Sequence, residues 1–342
     1  MDYGEIEEVL GGILGEEIAF ETMVRNAMEG ETIVSLSEWL QILGKVLIGQ
    51  MHAQGQALAS LGMLLILAAV LSVIAKAFRN KQISEMGFLV ISLLLFMTLM
   101  KSFGVCFDIT ESVIRDLVDF MKVLMPAYLM AAAMGAYRTS AVVYYEGFLF
   151  LIYYLQRFVA IVLLPAIRAY VLIGMVGTLG KEELFAKGRS SLKNLILFSL
   201  KAMISITAGL QMIQGMITPA IDGMKQTIFG KGISSLGSIG NVAKGVTDVI
   251  IGSGTLLKNG IGVVAAVLIV SICLVPVVEV SGYLVFYRIL TAVAEPVSDK
   301  RVLGIIEHTG DGIGLLVKLL FTVAAMFLLT IAMICVTTGG IR

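Results

Sequence analysis

The stretch AVVYYEGFLFLIYYLQRFVAIVLLPAIRAYVLIGMVGTLG, residues 141–180, decides what kind of protein this is. Glu146, Arg157 and Arg168 are the charged positions in forty otherwise almost continuously apolar residues. A hydrocarbon layer about 30 Å thick is crossed by about twenty apolar residues of helix. Backbone groups in that layer must bond within their own segment or within a closed barrel. At about 1.5 Å per residue the stretch is too long for one crossing. The spacing therefore predicts two helices, with the chain reversing between Arg157 and Arg168.

The pattern repeats to either side. Apolar runs at 57–75, 86–103, 121–137, 194–217, 260–278 and 312–336 each read as a crossing. Residues 280–296 are too short and too broken to assign, and read as a re-entrant segment, an interfacial segment or an eighth span. The expectation is an all-α, polytopic helical membrane protein with about seven or eight transmembrane helices. Composition agrees: 58% of the 342 residues are hydrophobic and 15% charged, and the mean hydropathy is +0.95. Soluble domains hold about 45–50% apolar and about 25% charged residues. A water-soluble enzyme, a disordered chain and a nucleic-acid binder with a broad basic surface are excluded. Cys106, Cys273 and Cys335 lie in or beside apolar runs without CxxC spacing, and read as small lipid- or core-facing residues.

The zero net charge hides an asymmetry, since residues 1–50 hold ten acids against Arg25 and Lys45. The chain divides into an acidic extracytoplasmic segment, 1–50, and a transmembrane domain, 51–342, with a glycine-rich outer-face segment at 218–259. MDYGEIEEVL has neither the basic nor the long apolar region of a signal peptide. Either the start lies upstream, or the first span exports the acidic tail. Basic clusters at Lys76/Arg79/Lys81, Arg138, Lys181–Lys193 and Lys300/Arg301 mark four cytoplasmic loops. Lys201 and Lys318 lie near the cytoplasmic ends of their spans, within snorkelling reach.

Two stretches ahead of spans are amphipathic. Leu36, Trp39, Leu40, Leu43, Val46 and Leu47 form one face, with Ser35 and Glu38 as a capping box. Ile109, Val113, Ile114, Leu117, Val118 and Met121 form the other, with Glu111, Arg115, Asp116, Asp119 and Lys122 elsewhere on the helix. Both read as elbow helices in the outer interface, or as docking faces for a partner.

No constellation for catalysis is visible. His52 and His308 lack an HExxH context, and neither a phosphate loop nor a GxSxG elbow occurs. No cofactor and no metal are expected. Pro126, Pro165 and Pro276 sit within apolar spans or at their turns, and each removes a backbone donor. Such breaks either kink a packed helix or line a substrate path. Glu146 and Glu279 are candidate ionisable residues at depth. Asp248, Lys258 and Asn259 bound the outer end of an apolar span, and either anchor it at the headgroups or contact a partner or path. Gly174, Gly177 and Gly180 form a smooth helix face. Nine glycines between Gly230 and Gly262 predict short membrane-dipping helices joined by turns.

The run Thr247-Asp248, Ser253, Leu256-Leu257-Lys258-Asn259 and Gly262, followed by a span holding Pro276, resembles the stage III sporulation protein AE family of endospore-forming bacteria. The MPAY of residues 125–128, the LLPA of residues 163–166 and the order of spans extend the likeness over about 36–342. The resemblance implies a non-enzymatic, multi-pass component of a stage III A channel or secretion-like complex. Its implied place is the mother-cell-derived membrane around the forespore, where it sustains late forespore development. Implied partners are the sibling stage III A proteins (a secretion-type ATPase and ring-forming subunits) and a forespore-side protein. The resemblance brings no catalytic residues. Composition and spacing alone leave a free-standing small-solute or ion permease, or a recruiting membrane scaffold, as alternatives.

Overall fold

A computed structural model describes residues 3–14, 19–31, 81–134, 150–179, 185–234, 238–295 and 300–337, with a few isolated positions between 44 and 70 and at 147. For 214–234 and 238–251 it gives the backbone alone. Two short helices, α1 (Gly4–Leu14) and α2 (Phe20–Glu29), precede five long ones. These are α3 (Lys81–Met134), α4 (residues 150–179), α5 (Ala186–Ser234), α6 (Ser238–Ala294) and α7 (Lys300–Thr337). The regular structure of the described residues is entirely helical, and all five long helices have the length and apolarity to cross a membrane. The all-α membrane architecture expected from the apolar runs is what the chain adopts.

Among the described residues the helices are fewer and longer than the runs suggest. The spans at 86–103 and 121–137, with the amphipathic stretch between them, merge into the 54-residue α3. The elbow expected there is a continuous part of the rod. Its apolar face finds a partner inside the bundle, with Val113, Ile114, Leu117, Val118 and Met121 all buried. The reversal expected between Arg157 and Arg168 does not occur, because α4 runs through both. Its one irregularity is a π-helical turn at Val159–Leu163, where the Leu164 N–H reaches back to the Val159 carbonyl. A wide turn ahead of Pro165 accommodates the ring without breaking the helix. The span at 260–278 and the undecided 280–296 are one helix, the 57-residue α6. The described residues of the glycine-rich segment are helical as well, carried by the end of α5 and the start of α6. In an apolar setting the backbone must satisfy itself, and that requirement outweighs glycine's cost of about 1 kcal/mol per residue. The run at 57–75 and the amphipathic helix holding Trp39 lie outside the described residues.

Side-chain pairings set the directions. Phe103 lies at Gly312 and Tyr128 at Cys335, so α3 and α7 are parallel. Lys193 with Asp311 and Gln211 with Thr330 make α5 parallel to them. Tyr170 with Asp311 and Gly174 with His308 make α4 antiparallel to α7. Arg288 with Asp311 and Gly262 with Cys335 do the same for α6, which pairs with α7 most extensively. Helix α7 is the central element, packed by the other four. Asp311 and Cys335 are 24 residues apart on it, about 36 Å of helix, close to a bilayer's hydrophobic thickness.

Lipid tails are as apolar as leucine, so close packing of small residues holds such helices together. A Cβ on Gly174 would lie 2.8 Å from the His308 ring, and one on Gly304 would lie 2.8 Å from Thr178. One on Gly312 would overlap Val171. Of the expected glycine face, Gly174 meets a neighbour, Gly177 faces open space, and Gly180 is outside the described residues. Four buried threonine hydroxyls are satisfied within their own helices, Thr110, Thr207, Thr309 and Thr330 each bonding the carbonyl four residues back. Helices α1 and α2 dock their apolar faces on the bundle through Leu10, Phe20 and Val24, and Val24 lies against Gly260 of α6. Helix α2 ends on Gly30, whose φ of 77° lets its N–H and the next return to Ala27 and Asn26.

Candidate functional site

Three polar features stand out in the apolar bundle. The first gathers four helices at one end around Asp311, which follows Gly310 and precedes Gly312 near the start of α7. Its Oδ2 accepts from Lys193 Nζ of α5 at 2.7 Å and from the Tyr170 hydroxyl of α4 at 3.2 Å. Its Oδ1 accepts from Arg288 of α6 at 2.8 Å. One turn earlier, Arg189 donates to His308 Nε2 at 2.6 Å. Arginine can only donate, so that nitrogen is unprotonated and Nδ1 carries the hydrogen. His308 Nδ1 is buried without a hydrogen-bond partner. One carboxylate thus ties the ends of α4, α5 and α6 to α7, with both oxygens used. The Asp311 side chain is 17% exposed, against 36% for Lys193 and 57% for Arg288, so the bases retain much of their hydration.

The second feature lies at the opposite end. Lys258 of α6 is 1% exposed, and its Nζ donates to the Cys335 carbonyl at 3.3 Å. The Cys335 thiol and Tyr128 hydroxyl share a hydrogen bond at 2.8 Å, and Gly262 leaves room for both. A backbone carbonyl near the end of α7 is one that a helix leaves without its own donor, so Lys258 serves as a buried cap.

The third is a stripe along α3: Asp108, Glu111, Ser112, Arg115, Asp116, Asp119 and Lys122, spaced by three and four residues. It faces out of the bundle, opposite the buried face. Glu111 and Arg115 pair at 3.7 Å, Asp119 and Lys122 at 2.9 Å, and Ser112 donates to Asp116 at 3.5 Å. Asp116 lies 13 residues, about 20 Å, along α3 from Phe103, and Phe103 is level with Gly312. The stripe is therefore level with the apolar middle of α6 and α7.

The residues singled out by sequence do not converge on one place. Pro126 and Pro165 are exposed on the outside of α3 and α4, and Pro276 is half-buried on α6. Lys258 is buried in the second feature, while Asn259 beside it is exposed. Glu279 is half-buried on α6, near Cys106 and Tyr283. Asp248 lies on the α6 backbone with its side chain outside the described residues, as is Glu146 altogether. Arg168 places its guanidinium 4.0 Å over the Phe107 ring, and Arg157, three turns further along the same helix, is exposed. The basic positions Lys187, Arg189, Lys193 and Arg301 share the Asp311 end. Arg138 lies outside the described residues. Helix α3, however, reaches Met134 at the far end, so the run before Arg138 leads away from the other basic clusters.

Sequence reasoning missed Asp311, Tyr170 and the pairing of Arg189 with His308. The available signal was an acid between two glycines at the head of a span, with bases at the heads of others. Among the described residues no group of three His, Cys, Asp or Glu side chains is placed to hold a metal. An apolar cleft of about 330 Å³ opens sideways between α4 and α5, lined by Phe150, Tyr154, Phe158, Phe198, Ile206 and Met326.

Known proteins resemble the chain along nearly its whole length. The description of stage III sporulation protein AE fits residues 18–338. A stage III sporulation protein AE of Bacillus subtilis (strain 168) is 23% identical over 343 residues, which cover 99% of this chain and 84% of the relative. No solved structure matches. With five helices among the described residues long and apolar enough to cross a membrane, and a match from residue 18 to residue 338, this chain belongs to the stage III sporulation protein AE family.

Proposed function

We propose that this protein is a non-enzymatic, multi-pass component of a sporulation channel or secretion-like complex joining mother cell and forespore. It acts in the mother-cell-derived membrane around the forespore, with the Asp311 end toward the mother-cell cytoplasm. Its partners are the sibling stage III A proteins, including a secretion-type ATPase and ring-forming subunits, and a protein on the forespore side. The observation that carries this reading is the α3 stripe. A charged residue at the middle of a bilayer costs about 2.5–3.5 kcal/mol on insertion scales. The stripe holds six charged residues and turns away from its own bundle. A helix face of that kind is tolerated against protein or water and not against lipid tails. The bundle therefore suits an assembly that covers the stripe or wets it. The Asp311 and Lys258 clusters are engaged in holding helices together, and neither holds a nucleophile–base pair.

The experiment replaces Asp108, Glu111, Arg115, Asp116, Asp119 and Lys122 together by leucine in sporulating cells that depend on this chain. The expected outcome is a normal amount of protein in the membrane, because the variant face is more lipid-compatible, with late forespore development blocked. Normal spore yield from that variant would overturn the assignment.

A further inference from the structure

We infer that copies of this chain associate head to tail in the membrane, the acidic stripe of α3 on one copy receiving Arg157 from α4 of the next. The inference rests on the reading of the protein as part of an assembly and names one contact in it. Its first support is that each surface needs a partner. The stripe carries Asp108, Glu111, Asp116 and Asp119 against Arg115 and Lys122, two acids in excess. Arg157 is exposed on α4, on the side away from the buried Ile152, Leu155 and Val159. It therefore points from the bundle toward lipid.

The second support is depth. Asp116 lies 13 residues along α3 from Phe103, and Arg157 lies 13 residues along α4 from Tyr170. Phe103 contacts the position of Gly312, and Tyr170 bonds the adjacent Asp311. Helix α4 is antiparallel to α3, so both displacements run toward the same end, about 20 Å above the Asp311 level. Arg157 and Asp116 are thus at one depth. An arginine there is midway between the polar ends, beyond easy reach of either headgroup layer.

The third support is symmetry. Copies inserted in one orientation are related by rotation about the membrane normal, and such a rotation keeps every residue at its own depth. Only surfaces at equal depth can then meet. Two different patches on one chain give a heterologous contact, which closes into a ring when the rotation closes. Arginine to carboxylate is also the pairing best served by two parallel hydrogen bonds. Opposite charge, equal depth and exposure on different helices fit this contact.

The test co-expresses two differently tagged full-length chains, one carrying Arg157→Cys and the other Asp116→Cys, and treats native membranes with a short dimaleimide. The expected result is a cross-linked species carrying both tags, absent when both chains carry the same substitution. In parallel, Arg157→Asp and Asp116→Arg should each disperse the oligomer in mild detergent, and the double variant should restore it. Cross-linking confined within a chain carrying both cysteines would overturn the inference. So would an Asp116→Cys thiol shielded from water-soluble maleimide in chains that never cross-link to each other. That last result would show the stripe out of contact with water and not covered by a second copy, and the proposed function would stand without this contact.

Discussion

At the scale of single residues the bundle is tied at both ends, and the two ties differ in kind. Asp311 accepts from three helices at once. Replacing it with asparagine keeps the shape and removes the charge, leaving Lys193 and Arg288 facing a neutral amide. Breaking a fully buried pair costs about 3–5 kcal/mol, and exposed pairs are worth about 0–1. Asp311 is mostly buried and its bases partly hydrated, so Asp311→Asn should cost about 1–2 kcal/mol. Thermal unfolding in detergent should show the midpoint falling, while Asp119→Asn, on the exposed stripe, leaves it unchanged. An equal fall for both would remove the special role of the Asp311 tie. Lys258 illustrates the limits of reading residues singly. Its place before an apolar run suits a headgroup anchor, but the side chain folds inward to the Cys335 carbonyl. That carbonyl is 77 residues away in sequence, and no local pattern announces it.

At the scale of elements, the hydrophobic period was legible and the breaks were not. The face of Val113, Ile114, Leu117 and Val118 is helical in spacing and buried in fact, yet charges on its other side make it resemble a connection between two spans. Only the presence of α6 and α7 against that face shows that the rod continues. The same holds for α4, where two arginines and a proline imitate a turn. The π-helical turn at Val159–Leu163 absorbs Pro165, and Pro165 itself is exposed. Pro165→Ala should therefore be tolerated, changing stability by less than about 1 kcal/mol, the scale of ordinary surface substitutions. Gly312→Val should not be. Its side chain would enter the space of Val171 on α4, and overpacking of that kind costs about 1–3 kcal/mol. Comparing the two variants by yield of folded protein and thermal midpoint separates a proline that bends from a glycine that seats a neighbour. A larger loss for Pro165→Ala than for Gly312→Val would contradict both assignments.

At the scale of the whole molecule, sidedness follows from the rods. Helix α5 starts where α6 ends and α7 starts, since Lys193, Arg288 and Asp311 meet there. Parallel packing of α3 on α7 brings the Lys81 end to that side too. The far end holds Lys258, Tyr128 and Cys335, with α2 docked near Gly260. Lys81, Lys187, Arg189, Lys193 and Arg301 therefore gather at one end, a one-sided excess of bases of the kind that marks cytoplasmic ends. The acidic helices α1 and α2 are bound near the other. Single cysteines at Lys187 and Arg301 should be protected from a membrane-impermeant maleimide in intact cells and should react after lysis. Cysteines at Glu8 and Glu29 should react before lysis wherever the outer face is accessible. The contrast between the two pairs does not depend on which end is cytoplasmic. Positions 187 and 301 must behave alike because four helices fix them to one end, and position 29 must behave oppositely because the α6 rod separates Gly260 from Arg288. Opposite labelling of 187 and 301 would mean that one of α5, α6 and α7 fails to cross, and the bundle described above would be wrong.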